Sequence, residues 1–312
     1  MEEVLEAVRA ADPGEAERIR DDVANGAQAI RGPSPADLDA AARVGVALRS
    51  LVRVHRLDAC TVRCFDLVTD ARTSGCLALS WLLDEGVAAG CEGDVPSTLT
   101  LLWMQLTSGA PGFMANPQDV DAAAGTLWLA HCTIARRLVS RYELRSHFES
   151  SLGVGIAGEL AAGPATVARI GGADLRELFV SDAEVLGSGD NPERCRTQVQ
   201  VRLAADVRTL LERPLGNHHV LVPGHGRLLR RCGEADQQVD PLPDRPHGKG
   251  HLRPGCGCSQ GPAKSRRHRR RRAVLANAGN HPLRDRQPHR QLAVHSPPGD
   301  PTRAAGRSPR PL

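Results

Sequence analysis

The chain has 312 residues, a formal net charge of +4 and a mean hydropathy of −0.30. No apolar run approaches the ~18 residues of a membrane span, no N-terminal leader pattern is visible, and nine scattered cysteines lack the spacing of a disulfide scaffold, so a soluble, reducing, cytoplasmic setting with no membrane partner is expected. The charge is unevenly divided: residues 226–312 hold 19 of the 40 Lys and Arg and 6 of the 36 Asp and Glu, a net +13, which leaves −9 for residues 1–225.

Asp12-Pro13-Gly14-Glu15 places an N-cap, a proline in the first helical turn and a carboxylate at N3, and predicts a helix to about Asn25. Ser34-Pro35 repeats the arrangement before a helix over Ala36–Val54, whose Leu38, Ala41, Leu48 and Val52 fall on one stripe. Leu57–Val68 reads as a strand, Ser74–Asp84 as a buried helix stopped by Gly86, Val87–Cys91 as a strand, Pro96–Thr107 as a helix and Thr126–Cys132 as a strand. That βαβαβ order predicts a parallel sheet. After about residue 145 come short strands at Ala165–Ile170, Glu177–Leu186, Arg196–Leu203 and Val220–Val222, with a helix at Ala205–Glu212, which predicts a mostly antiparallel, barrel-like unit. The expected fold class is therefore α/β: a Rossmann-like parallel-sheet domain over 1–145, a β-rich domain over 146–225 and a disordered Arg/Pro-rich tail over 226–312. The tail has no aromatic residue and 12 of the 22 prolines, and so cannot bury enough apolar surface to offset its ordering entropy.

Chemistry concentrates in CEGDVPSTLTLL, Cys91–Leu102. It sets Glu92 and Asp94 between a strand and a helix, where open α/β sheets place their sites. Glu92 reads either as a solvent-facing loop acid or as a metal ligand and proton acceptor whose pKa burial would raise. Asp94 reads first as a helix N-cap. His218 and His219 are adjacent, so on a strand at most one of them enters a given site. His131 ends another apolar strand, either as a hydrogen-bonded buried histidine or at the same sheet edge as Glu92. His147 and Glu149 precede a glycine-rich loop, but Gly153 and Gly155 do not follow a strand in the dinucleotide arrangement, so no nicotinamide site is expected. The run Arg266–Arg272 would bind a nucleic-acid backbone only if the basic tail is genuine; without stacking aromatics it reads as a solvated charge run. Cys232, His247, His251, Cys256 and Cys258 match no closed zinc spacing.

Four segments carry a resemblance: RCFDL (Arg63–Leu67), CEGDVPSTLTLLWMQLTSGAPGFMANP (Cys91–Pro117), HCT (His131–Thr133) and GNHHVLVPGH (Gly216–His225). Over about Leu57–His225 the chain resembles the L-fucose isomerase family, the manganese-dependent aldose–ketose isomerases that include arabinose isomerases. The resemblance implies metal ligands at Glu92, Asn116 and His218, catalysis by Glu92 and the Asn116 position, and substrate contacts at His131, Asn217 and His147. It implies Mn²⁺ or another divalent metal, proton transfer through a cis-enediolate, a small sugar substrate and a homo-oligomer. The family has Asp where this chain has Asn116, which offers one neutral carbonyl oxygen and no base; Asp94, Asp119 or Glu149 could compensate. The family also carries a further N-terminal α/β domain, so this chain reads as truncated, and its tail after about His225 reads as an out-of-frame translation. An inactive remnant, or a non-catalytic sugar- or protein-binding relative, is the alternative.

Overall fold

In a computed structural model, the described residues are 1–172 and 174–224. The expectations for the tail, including its disorder, reading frame and zinc and nucleic-acid readings, lie outside them. The chain begins with three helices, α1 (Glu2–Arg9), α2 (Pro13–Gly26) and, after the short strand β1 (Ile30–Arg31), α3 (Pro35–His55). The caps are as read: the Glu15 N–H donates to Asp12 Oδ1 at 2.7 Å, and Ser34 and Asp37 form a reciprocal capping box. Next come β2 (Ala59–Thr61), α4 (Cys64–Asp70), α5 (Cys76–Asp84), β3 (Ala88–Gly90) and α6 (Val95–Ser108). β4 (Phe113–Asp121), β5 (Thr126–His131), β6 (Arg141–Arg145), β7 (Gly155–Glu159), β8 (Gly163–Gly171), β9 (Glu177–Ser188), β10 (Thr197–Leu203), α7 (Arg208–Glu212) and β11 (His219–Pro223) complete the order.

Two expectations for the first half are corrected. Leu57–Val68 is not one strand: after β2 the chain turns into α4, because Cys64 and Leu67 bury at helical spacing rather than alternately. The three-stranded parallel sheet reduces to β2 and β3, paired parallel from Ala59↔Ala88 to Thr61↔Gly90. Thr126–His131 is a strand but an antiparallel one. It forms a hairpin with β4, which the sequence reading did not place, and a short hairpin cannot return a strand parallel to itself. Asp121 Oδ1 closes that turn by accepting the N–H groups of Ala123 and Ala124 at 3.0 Å each.

The β-rich expectation is met by a closed antiparallel barrel in the order β10-β5-β4-β11-β8-β9. Its strands come from both sides of residue 145. Alternation divides β4, β8 and β11 between two cores, while β5 and β10 feed only the first. Phe113, Ala115, Leu127, Leu129, Val167, Val199, Val201 and Leu221 fill one buried cluster. Met114, Ala168, Val220 and Val222 face the other way and pack with Leu101 and Met104 of α6. Each of the larger side chains among them, fully buried, contributes about 1.5–3 kcal/mol. Together they press the N-terminal end of α6 against the ends of β8 and β11. A separate three-stranded sheet, β1-β6-β7, joins the helices to the barrel side, with the Tyr142 hydroxyl donating to the Val23 carbonyl at 2.8 Å. No helix among the described residues is long and apolar enough to cross a membrane.

Candidate metal centre

The loop between β3 and α6 carries Glu92 in the left-handed region (φ 61°), followed by Gly93 (φ 67°). For a residue with a Cβ that conformation costs roughly 1–2 kcal/mol. The bend is held by the Glu92 N–H donating to Cys64 Sγ at 3.3 Å, the Gly93 N–H to the Val62 carbonyl at 3.0 Å and the Asp94 N–H to the Cys91 carbonyl at 3.1 Å. Asp94 then caps α6, accepting the Ser97 N–H on Oδ1 at 2.9 Å.

The barrel supplies two imidazoles. His131 is the last residue of β5 and is 5 % exposed; His218, just before β11, is 1 % exposed. His131 Nε2 lies 3.5 Å from Glu92 Oε1, and His218 Nε2 lies 3.5 Å from Glu92 Oε2. The two rings meet edge to face with centroids 5.3 Å apart. One ligand atom from each of Glu92, His131 and His218 lies within 4.8 Å of the others. At 3.5 Å neither carboxylate contact is a good hydrogen bond, and His218 Nε2 is buried without a hydrogen-bond partner. A carboxylate and two imidazoles form a donor set for a divalent metal, and an orphaned imidazole nitrogen aimed at the carboxylate fits one.

The site's far side is built from the same helix cap. Asp94 Oδ2 accepts from His218 Nδ1 at 2.9 Å, from Arg169 Nη1 at 2.9 Å and from Ser97 Oγ at 2.9 Å. Asp94 is thus both the cap that was anticipated and the partner of a candidate ligand.

Electrostatics corrects the expected rise of the Glu92 pKa. Burial opposes its charge, but the His131 and His218 imidazoles on either side hold it well below the usual carboxylate range. Burial likewise works against protonated His218, yet Asp94 and Glu92 raise it to about 9. Burial pushes His131 below its ordinary value against the pull of Glu92. Among these groups only Glu92 reaches solvent appreciably, with a side chain 30 % exposed.

The other predicted residues sit around this cluster rather than in it. Asn116, on β4, donates from Nδ2 to the Asn217 carbonyl at 3.4 Å, one residue from His218. His131, read as a substrate contact, comes to the cluster instead. His147 accepts from or donates to Ser150 Oγ at 2.9 Å and meets the exposed Phe65 edge to face at 6.2 Å; burial and the neighbouring His131 push its imidazole down to about 4. Asp119, one of the carboxylates considered in place of an acid at Asn116, is paired with Arg194. His219 turns away to pack edge-on against Phe179 at 5.7 Å, so only one of the adjacent histidines joins the cluster. Arg169 was missed. Its one signal was a lone charge in the apolar run Ala165–Ile170.

The chain is similar to sulfoquinovose isomerases. It is 28 % identical to that of Clostridium sp. (strain MSTE9) over 183 residues and 26 % identical to that of Alkalicoccus urumqiensis over 188 residues. In both, the match covers 56 % of this chain, and the chain spans about two fifths of the relative, 40 % and 42 %. No protein-family model matches it. The expected kinship with sugar isomerases is therefore supported, through sulfoquinovose isomerases rather than through L-fucose isomerases.

Proposed function

We propose that this chain carries the metal centre of an aldose–ketose isomerase, with Glu92, His131 and His218 holding a divalent cation such as Mn²⁺. The observation that carries the reading is the Glu92 carboxylate, each oxygen 3.5 Å from a buried imidazole nitrogen. The similarity to two sugar isomerases supports it independently. Such a metal, when bound, polarises a carbonyl and stabilises negative charge developing on sugar oxygens.

The chain's own residues divide the remaining work. Glu92, alone partly exposed, faces the entering sugar and is the carboxylate placed to accept a proton from its carbon. His218 gives up a proton to offer Nε2, so binding weakens as pH falls. His147, neutral near pH 7, is placed to exchange protons with a sugar hydroxyl, beside the apolar face of Phe65. Asn116, bonded to the Asn217 backbone next to His218, and Asn217 itself are the amides proposed to orient the sugar hydroxyls. Assembly as a homo-oligomer, and a cytoplasmic setting, complete the reading.

The substrate is an aldose, and the test is turnover of a panel that includes sulfoquinovose, L-fucose and L-arabinose, with and without Mn²⁺. Metal-dependent ketose formation from one of them supports the isomerase. A non-catalytic sugar-binding relative is the second reading, favoured by Asn116 in place of a carboxylate; it predicts metal and sugar binding without turnover.

A further inference from the structure

Arg169 belongs to no part of the proposed chemistry, yet it is 3 % exposed and joins the barrel to the candidate metal centre. One guanidinium nitrogen, Nη1, reaches Asp94 Oδ2 at 2.9 Å and the His218 carbonyl at 3.0 Å, and also meets Ser97 Oγ. His218 is thereby gripped at both ends, its backbone directly and its ring through Asp94. Gly216 keeps this place open: a Cβ there would lie 2.0 Å from Arg169 Nη2.

From this arrangement we infer that Asp94 and Arg169 are positioning residues that set the tautomer and aim of His218, and so tune the affinity of the metal site. The inference rests on the metal reading of Glu92, His131 and His218. A carboxylate only accepts hydrogen bonds, so beside Asp94 the His218 Nδ1 must carry the proton. Once the ring gives up its other proton, the lone pair is on Nε2, the nitrogen facing Glu92. Arg169 neutralises Asp94 and holds its Oδ2 in line, while Oδ1 is occupied by the helix cap. Outer carboxylate partners of this kind are worth roughly 10–100-fold in metal affinity. The device explains why two residues of a helix cap and one strand arginine, far apart in sequence, converge on a single histidine.

The test is Co²⁺ binding to the full chain, followed by its visible absorption, with thermal unfolding recorded in parallel. Asp94→Ser keeps an N-cap acceptor for α6 but is too short to reach His218. It should weaken Co²⁺ binding by the folded protein at least 10-fold and alter the absorption spectrum, while the buried Arg169 left without its carboxylate lowers the unfolding midpoint. Arg169→Met should weaken binding by a similar factor, and Arg169→Lys should restore part of it, because one nitrogen makes all three contacts. If Arg169→Met does not fold, Asp94→Ser and Arg169→Lys carry the test. Wild-type binding with unchanged affinity in Asp94→Ser overturns the positioning role alone. No Co²⁺ binding by the wild type overturns the metal reading and the positioning role with it.

Discussion

The barrel contributes to the site through strand ends, whereas the helical layer contributes through a loop bent by two successive left-handed residues. His131 ends β5 and His218 leads into β11, so register and closure place both. Glu92 is placed by local devices: the strained φ, an N–H bond to a thiol and the cap of α6. The lesson is that the same ligand set draws on two kinds of rigidity. Damage to the barrel should appear first as lost stability, and damage to the loop first as lost binding.

The comparison can be strained hardest in the barrel interior. Phe113, fully buried between β4 neighbours and the opposite strands, should on replacement by Ala cost about 3–5 kcal/mol in denaturant unfolding. The fraction that remains folded should keep wild-type metal affinity.

His219 gives a sharper contrast, because it sits beside His218 in sequence and apart from it in function. Burial and Arg169 push its imidazole down to about 3 from an ordinary value of 6.5. The unfolded chain therefore takes up a proton below about pH 6.5 that the folded chain refuses until about pH 3. Stability present above pH 6.5 is lost as pH falls through that window, at up to about 1.4 kcal/mol per pH unit. His219→Leu should flatten that slope in unfolding measured from pH 7 to 4. A slope as steep as the wild type's would mean that other groups set it.

On the loop side, the strain at Glu92 can be read separately from its chemistry. Glu92→Gly and Glu92→Ala remove the same carboxylate, but only glycine relaxes at φ 61°. The glycine variant should be more stable by about 1 kcal/mol, while both lose metal binding. Equal stabilities would remove backbone strain from the account. The smallest effect is expected at Asp12, remote from the site: Asp12→Ala should cost about 0.5–1 kcal/mol through the lost cap of α2, with metal affinity unchanged.

What was legible in the sequence follows the range of the interactions involved. The caps at Asp12 and Ser34 are contacts three residues apart, and the sequence displays them directly. Thr126–His131 is visibly a strand, but alternation names a strand and not its partner, and the preceding β4 was obscured by Asn116-Pro117 and a bulge between Gln118 and Asp121. That omission turned a hairpin into a supposed parallel crossover. Glu92 and His218 could be singled out because each sits in a distinctive local motif. His131 could be placed only at a strand end, since its meeting with Glu92 depends on how the barrel docks on α6. Arg169 and Asp94 lie 75 positions apart, and nothing in spacing or composition joins them. The direction of the Glu92 pKa shift failed for the same reason: the two imidazoles that reverse it arrive from distant strands.

The central claim is that Glu92, His131 and His218 form one metal site across these two regions. It is tested most directly by titrating Mn²⁺ into the wild-type chain and the Glu92→Ala and His218→Ala variants, following the free-ion signal by electron paramagnetic resonance. The account predicts saturable binding by the wild type and at least 10-fold weaker binding by each variant, the loop and barrel ligands failing alike. Equal affinity in all three proteins would contradict it.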